Sequence, residues 1–246
     1  MSMNRDGLMV EIMNCFTQRF GNGAILKGGM ELRLFDCPRL TNDLDYVFVP
    51  YSSKKEIKDA ILSELKAIAG VQVSMSVHSA CIRYIVCRDS VGVQVEVNVA
   101  ADCKSDVLST GTMALAQNIQ PRLIRVMCPD MALAHKLAAW VERRLLRDLY
   151  DAAFMKSVLG VVPDMSTLLQ RLSAVSLRKK RNARKISMSL QEFIDLLDGA
   201  TGSLQQKEVD EELRDYFLPE QLPGLSMKIR VGVSQLLDFL KQRAGG

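Results

Sequence analysis

The 246 residues hold only two histidines, His78 and His135, one tryptophan, and no Cys-x-x-Cys pair. Two histidines cannot build a histidine-rich metal centre. Six scattered cysteines (Cys15, Cys37, Cys81, Cys87, Cys103, Cys128) read as reduced, buried thiols rather than a disulfide frame or a zinc site. No apolar run reaches the ~18–20 residues that span a bilayer. The opening stretch MSMNRDGLMVEIMNCF sets acids among its apolar residues and has no uninterrupted apolar core, so no secretory signal is read there. The expectation is a protein of the cytoplasm with no membrane partner. Any catalysis must rest on carboxylates, lysines and hydroxyls.

What is present is the composition of a soluble globular chain, 48% hydrophobic and 24% charged. The length suits one large domain or two ordinary ones. A net charge of +4 is mild but unevenly spread, because Arg178–Lys185 (RKKRNARK) places six basic residues in eight. Such a run can hold a polyanion, or it can be a solvated helix face or a basic linker.

Periodicity predicts a helix over Leu8–Phe20, a short strand at Ala24–Leu26 and a short helix over Met30–Phe35 with Glu31 toward solvent. Asp43–Val49 alternates with period two and is closed by Pro50. A helix over Ser53–Ala69 precedes three valine-rich runs, Val71–Val77, Ala80–Cys87 and Val91–Val99, spaced as an antiparallel meander. From about residue 120 the pattern reads as helices only: Met131–Leu146, Leu149–Leu159, Ser166–Val175, Leu190–Leu197, Lys207–Tyr216 and Val233–Arg243. The fold class expected is α+β, a mixed sheet flanked by helices (1–118) followed by an α-helical bundle (119–246).

In a strand, residues i and i+2 share a face, so Asp43 and Asp45 project together, their Cβ atoms roughly 7 Å apart. Leu44, Tyr46 and Phe48 then point to the core. Two carboxylates at that spacing suit a hard cation, Mg²⁺ or Mn²⁺, although D-x-D on an exposed half-strand also arises by chance. Gly28 and Gly29 lie between a strand and a helix start. They form an ordinary tight turn or a place where backbone approaches a phosphate. Glu96 alternates with Val95 and Val97 in a strand where an unpaired charge is costly. Three carboxylates from two strands beside a glycine turn match the needs of two-metal phosphoryl or nucleotidyl transfer.

The stretch LKGGMELRLFDCPRLTNDLDYVF, with thirteen residues between Gly29 and Asp43, resembles the signature of nucleotidyltransferases with a DNA polymerase β-type palm. Together with HKLAAWVERRLLRDLYDAAF (His135–Phe154), it is similar to the AbiEii/AbiGii toxin family and its MenT-type members. That family shows a K-G-G-T-A-L-R-L-like opening, an R-x-S-x-D-[IL]-D-[FY] segment and a later K-x-x-A…R…[KR]-D-L-Y-D segment. The resemblance spans about residues 20–155. Departures are Met30 for the family's frequent Thr, Thr41 for its Ser, and Glu96 where many nucleotidyltransferases use Asp. No Gly or Pro marks a break between Trp140 and Asp148.

On one continuous helix, Lys136, Trp140, Arg143 and Arg147 would share a face, either a solvated basic stripe or cations for a triphosphate. The resemblance implies that Lys136 binds nucleotide phosphates and that Asp148 orients the region. Asp151 and Tyr150 read as capping and packing, Trp140 as core, and His135 is not taken as a general base. The site expected is therefore Asp43, Asp45 and Glu96 as metal ligands, catalytic with Asp148. Lys27, Gly28, Gly29, Lys136 and Arg147 would bind the NTP.

The resemblance further implies an RNA acceptor such as the tRNA 3′ end, a toxin role, and a cognate antitoxin of winged-helix, AbiEi-like type. Lys179, Lys180, Arg181, Arg184 and Lys185 would hold the RNA backbone. The rival readings are nucleotidylation of a protein or small-molecule hydroxyl, and a non-catalytic nucleotide-binding module.

Overall fold

The computed structural model describes residues 4–179 and 182–245, and the chain divides into two compact units, Met1–Cys128 and Pro129–Gly246. The first runs α1 (Arg5–Phe20), β1 (Ala24–Lys27), α2 (Gly29–Leu34), β2 (Asp43–Phe48), α3 (Lys58–Ala67) and β3 (Gln72–Val77). It continues through β4 (Ile82–Arg88), β5 (Val91–Val99), β6 (Ser105–Ser109), α4 (Gly111–Ala116) and β7 (Leu123–Met127).

Seven strands form one mixed sheet in the order β3-β4-β5-β2-β1-β7-β6. The β2/β5 and β1/β7 pairs are parallel and the rest antiparallel. Alternation decides which face is buried. Leu44, Tyr46 and Phe48 of β2 and Val93, Val95 and Val97 of β5 are within 2% of fully buried. Phe16 of α1 meets Tyr46 and Phe48 edge-on at 5.0 and 5.5 Å, a favoured aromatic geometry. Ile61 and Leu65 of α3 join the same core. Burial of the Tyr46 hydroxyl pushes its pKa above the ordinary tyrosine value. The meander β3–β5 and the strand with D-x-D stand as the alternation predicts.

Two strands of this unit, β6 and β7, were not expected. Because β7 at Leu123–Met127 belongs to the large sheet, the helical region begins after Cys128 and not at residue 119. Glu31 is also not toward solvent: it is 1% exposed. The helix α2 is six residues long, and Gly29, Met30, Glu31 and Leu32 are all buried, so it has no solvent face at that turn.

The second unit runs α5 (Pro129–Arg143), α6 (Leu146–Ser157), α7 (Met165–Leu172), β8 (Val175–Lys179), β9 (Asn182–Ile186), α8 (Leu190–Ser203), α9 (Gln206–Leu213) and α10 (Leu225–Ala244). Helices dominate but are not alone, since β8 and β9 pair as an antiparallel hairpin where a helix end and a basic linker were expected. The single helix expected over Met131–Leu146 stops at Arg143. Arg144 adopts a left-handed φ of 57° and its N–H donates to the Trp140 carbonyl at 2.8 Å, which closes α5 without glycine or proline.

Candidate active site

The strand register sets a row of charges across the outer face of the first unit. Lys27 of β1 stands opposite Asp45 of β2. On the other side Asp45 is in register with Glu96 of β5, and Glu96 with Arg83 of β4. Asp43 is in register with Gln94. Residues in register lie about 4.5–5.5 Å apart at Cα, and Lys27, Asp43, Asp45, Arg83 and Glu96 are all half-buried.

The glycine pair is fitted to this row. Gly28 has a φ of 85° and ψ of −145°, a region essentially restricted to glycine. A Cβ there would also lie 2.5 Å from the Asp45 Oδ2. A Cβ on Gly29 would meet Arg39 Nη2 at 2.6 Å and Thr41 Oγ1 at 3.0 Å. Arg39 is 5% exposed and its Nη1 donates to the Leu40 carbonyl, while Thr41 Oγ1 accepts from the Asp43 N–H at 3.4 Å. The Gly-Gly, Arg-x-Thr and D-x-D elements are thus one packed unit, which is why they occur together in the sequence.

Glu96 is already engaged. Its Oε1 accepts from Arg83 Nη2 at 2.7 Å, Arg83 Nε at 3.1 Å and Gln94 Nε2 at 3.1 Å. These bonds, with the charges of Glu96 and Asp43, hold the Arg83 pKa above its usual value. Burial and the nearby Glu96 carboxylate raise the Cys81 thiol. Arg83 was not singled out from sequence. The signal was present: counting back from the two-residue turn Asp89–Ser90 pairs Arg83 with Glu96 on the face opposite Tyr84 and Val95.

Among the described residues no group of three or more His, Cys, Asp or Glu side chains is gathered as a metal would need. The pair Asp43 and Asp45, on one strand face with only carboxylate oxygens to offer, fits a hard cation such as Mg²⁺. Glu96 is tied to a guanidinium and does not fit equally well.

In the second unit the motif residues form two acid–base pairs, each built on a buried carboxylate. Asp151, fully buried, accepts from Lys136 Nζ at 2.6 Å. Asp148, 2% exposed, takes both arms of Arg143, at 2.7 Å from Nη2 and 3.1 Å from Nε. Asp151 is therefore the fixed partner of Lys136, not the capping residue expected. The break at Arg144 moves Arg147 onto α6 and off the expected stripe. Its Nη1 donates to the Tyr216 hydroxyl at 2.9 Å and its guanidinium lies over that ring. Trp140 is 3% exposed, with Arg144 stacked 4.9 Å over its ring. His135 lies 3.3 Å from Arg171 Nη1.

Of the basic run, Lys179 and Arg184 lie on β8 and β9 and Lys185 on β9 is exposed, whereas Lys180 and Arg181 fall outside the described residues.

A mixed sheet with D-x-D on a central strand, a glycine turn against one of those carboxylates, and a following helical unit define the palm of a nucleotidyltransferase. The chain belongs to the family described as nucleotidyl transferase AbiEii toxin, Type IV TA system, which matches residues 12–231. It is thus a nucleotidyltransferase of the toxin class, a class that implies an NTP substrate and an antitoxin partner. No curated protein matches it at a significant level. Among solved structures it is similar to JHP933 from Helicobacter pylori (15% identity, TM-score 0.55, covering 98% of this chain and 94% of that one). It is also similar to MenT4, a nucleotidyltransferase toxin from Mycobacterium tuberculosis (17% identity, TM-score 0.56, covering 95% and 83%). At these identities the likeness is one of fold. No helix among the described residues is long and apolar enough to cross a membrane.

Proposed function

We propose that the protein transfers a nucleoside monophosphate from an NTP to the terminal hydroxyl of an RNA, such as the tRNA 3′ end, with Mg²⁺ or Mn²⁺ held by Asp43 and Asp45. The observation that carries the reading is the placement of those two carboxylates, on one strand face, with Gly28 against Asp45 and Glu96 in register beside it. A bound divalent ion would lower the pKa of the acceptor hydroxyl and offset charge on the phosphate.

The chain's own residues bind and orient. The absent side chains of Gly28 and Gly29 let backbone approach the phosphates, and Lys27 adds a positive charge in register with Asp45. The acceptor oxygen attacks the α-phosphorus as the bond to pyrophosphate breaks, and pyrophosphate leaves in line. Positioning and fixed charge supply most of the acceleration.

In the helical unit, Lys136 and Arg143 are read as phosphate-binding cations. Asp151 and Asp148 hold them in one geometry, so little side-chain freedom is lost on binding. Arg147, tied to Tyr216, takes a smaller part. Lys179 on β8 and Arg184 and Lys185 on β9 belong to the basic run, which is read as the RNA-backbone contact. RNA affinity would then fall steeply with salt. A cognate antitoxin, encoded beside the toxin, is the protein partner this reading expects.

The test is transfer of label from each of four α-³²P-NTPs, with Mg²⁺, to total tRNA and to total cell protein, beside an Asp43→Ala/Asp45→Ala control. Label in tRNA that the control lacks is the expected result. Label in protein alone would replace the RNA acceptor with a protein hydroxyl. NTP binding without any transfer would sink the catalytic reading of the acid pair.

A further inference from the structure

Resting on the reading of the helical unit as a phosphate-binding part, we propose that Arg144, at the corner between α5 and α6, is a further binding residue for a phosphate group. A nucleoside triphosphate and an RNA strand both carry that group, and the two sources are separable by experiment.

The first argument is conformational. Arg144 follows α5 with a φ of 57°, in the left-handed region that glycine adopts freely and other residues adopt at a cost. The bond that closes the helix there is made by the Arg144 backbone N–H on the Trp140 carbonyl. Glycine would close the same turn, so the break does not need the arginine side chain. A strained residue that the turn does not require points to a use outside the turn.

The second is how the side chain is held. Its guanidinium lies 4.9 Å over the ring of Trp140, which is buried. A cation seated on a fixed ring loses little freedom on binding and still offers its fork of N–H donors to an oxyanion. Arg144 is itself exposed, so a ligand can reach it.

The third is the lack of an internal counter-charge. The acids around the corner are engaged: Asp148 with Arg143, Glu142 with Arg171, and Glu212 with the Leu146 N–H at 2.6 Å. Among the described residues no carboxylate pairs with Arg144, and desolvation alone acts on its pKa, lowering it. A cation partly withdrawn from water, with no acid to match it, is suited to an anion brought from outside. Arg147 is likewise held by a ring, that of Tyr216. Three residues reach no further than about 11 Å, so the corner presents two ring-seated guanidinium groups close together.

The test titrates the full chain, without divalent ion, with inorganic tripolyphosphate and with total tRNA. Affinity is read by calorimetry, and the local event by the emission of Trp140, the one tryptophan of the chain. Arg144→Met removes the charge, and Arg144→Gly removes it while also relieving the turn. Because glycine suits a φ of 57°, Arg144→Gly should keep its unfolding midpoint within about 3 °C of wild type. Lost binding would then not be lost fold.

Both variants should bind at least one probe about tenfold more weakly, the size of effect a lost charge-assisted bond produces. The change that this probe causes in Trp140 emission should vanish with it. A loss confined to tripolyphosphate assigns Arg144 to the triphosphate of the NTP. A loss on tRNA, with the slope of log affinity against log salt shallower by about one, assigns it to the RNA backbone. Both variants binding both probes within about threefold of wild type would overturn the proposal. So would a loss with Arg144→Met that Arg144→Gly does not share, since that is strain and not charge. The functional reading stands on label transfer instead: a wild type that labels its acceptor while these variants bind normally fails this inference alone. A wild type that neither transfers label nor binds either probe ends both.

Discussion

Gly28 is constrained twice, by a φ of 85° and by the Asp45 carboxylate 2.5 Å from where a Cβ would stand. Gly28→Ala must therefore shift either the turn or Asp45. The backbone term alone is about 1–3 kcal/mol. Because a 1 Å misplacement near reacting groups costs on the order of 100-fold in rate, activity is expected to fall by at least about that factor. A melting curve and initial rates on the same preparation separate the two effects; a folded variant with full activity would refute the role given to Asp45. Asp151 poses a different problem. It is fully buried against Lys136, whose side chain is 15% exposed. Removing one partner of a buried pair leaves the other uncompensated, so Asp151→Asn is expected to destabilise by about 3 kcal/mol. Denaturant unfolding measures this, and a change under about 1 kcal/mol, the range of surface pairs, would mean that Lys136 is solvated instead.

The elements that sequence made legible are those whose pattern is local. Alternation marks β2 and β5, and with the core stripe of α3 it gives the buried face without tertiary information. The acids Asp43, Asp45 and Glu96 are legible for the same reason, because they take the outer-face positions of that alternation. What stayed hidden depends on long-range pairing. The strands β6 and β7 are five residues each; β6 is an edge strand with three exposed residues, and β7 offers a single alternating pair, Ile124 and Val126 about Arg125, too short to be told from a loop or helix fragment. In β8–β9 the basic residues mask a hairpin. The Arg144 break has no glycine to announce it, and Arg83–Glu96 and Lys136–Asp151 become partners only once register and helix packing are set. Helix packing also yields a prediction against propensity. Gly232 of α10 lies where a Cβ would be 2.6 Å from the Ala153 carbonyl oxygen and 2.7 Å from its Cα on α6. Glycine to alanine usually favours a helix by about 1 kcal/mol. Here the obstacle is backbone, which cannot swing aside, and overpacking costs about 1–3 kcal/mol. Gly232→Ala should therefore lower the unfolding midpoint, and a raised midpoint would show that the two helices have room to part.

For the molecule as a whole, the division at Cys128–Pro129 bears on what each part can do alone. Every buried residue of the sheet's hydrophobic cluster, from Leu8 to Val126, comes from the first unit. All seven strands of the large sheet do too, so no ladder hydrogen bond of that sheet is cut by ending the chain there. A length near the commonest domain size, about 100–150 residues, is enough to bury such a core. The acid face, with Lys27, Gly28, Asp43, Asp45, Arg83 and Glu96, lies wholly within it. A fragment of residues 4–128 is therefore expected to unfold in one cooperative thermal transition and to bind Mn²⁺ with an affinity near that of the full chain. The same fragment should fail to label RNA, because Lys136, Arg143 and the basic hairpin are missing. Circular dichroism, Mn²⁺ titration and the transfer assay on one preparation check all three. A fragment that folds but loses Mn²⁺ would mean that Asp43 and Asp45 are an incomplete cation site without a residue of the helical unit, whereas one that melts without cooperativity would mean that the apolar cluster is too small to hold the sheet.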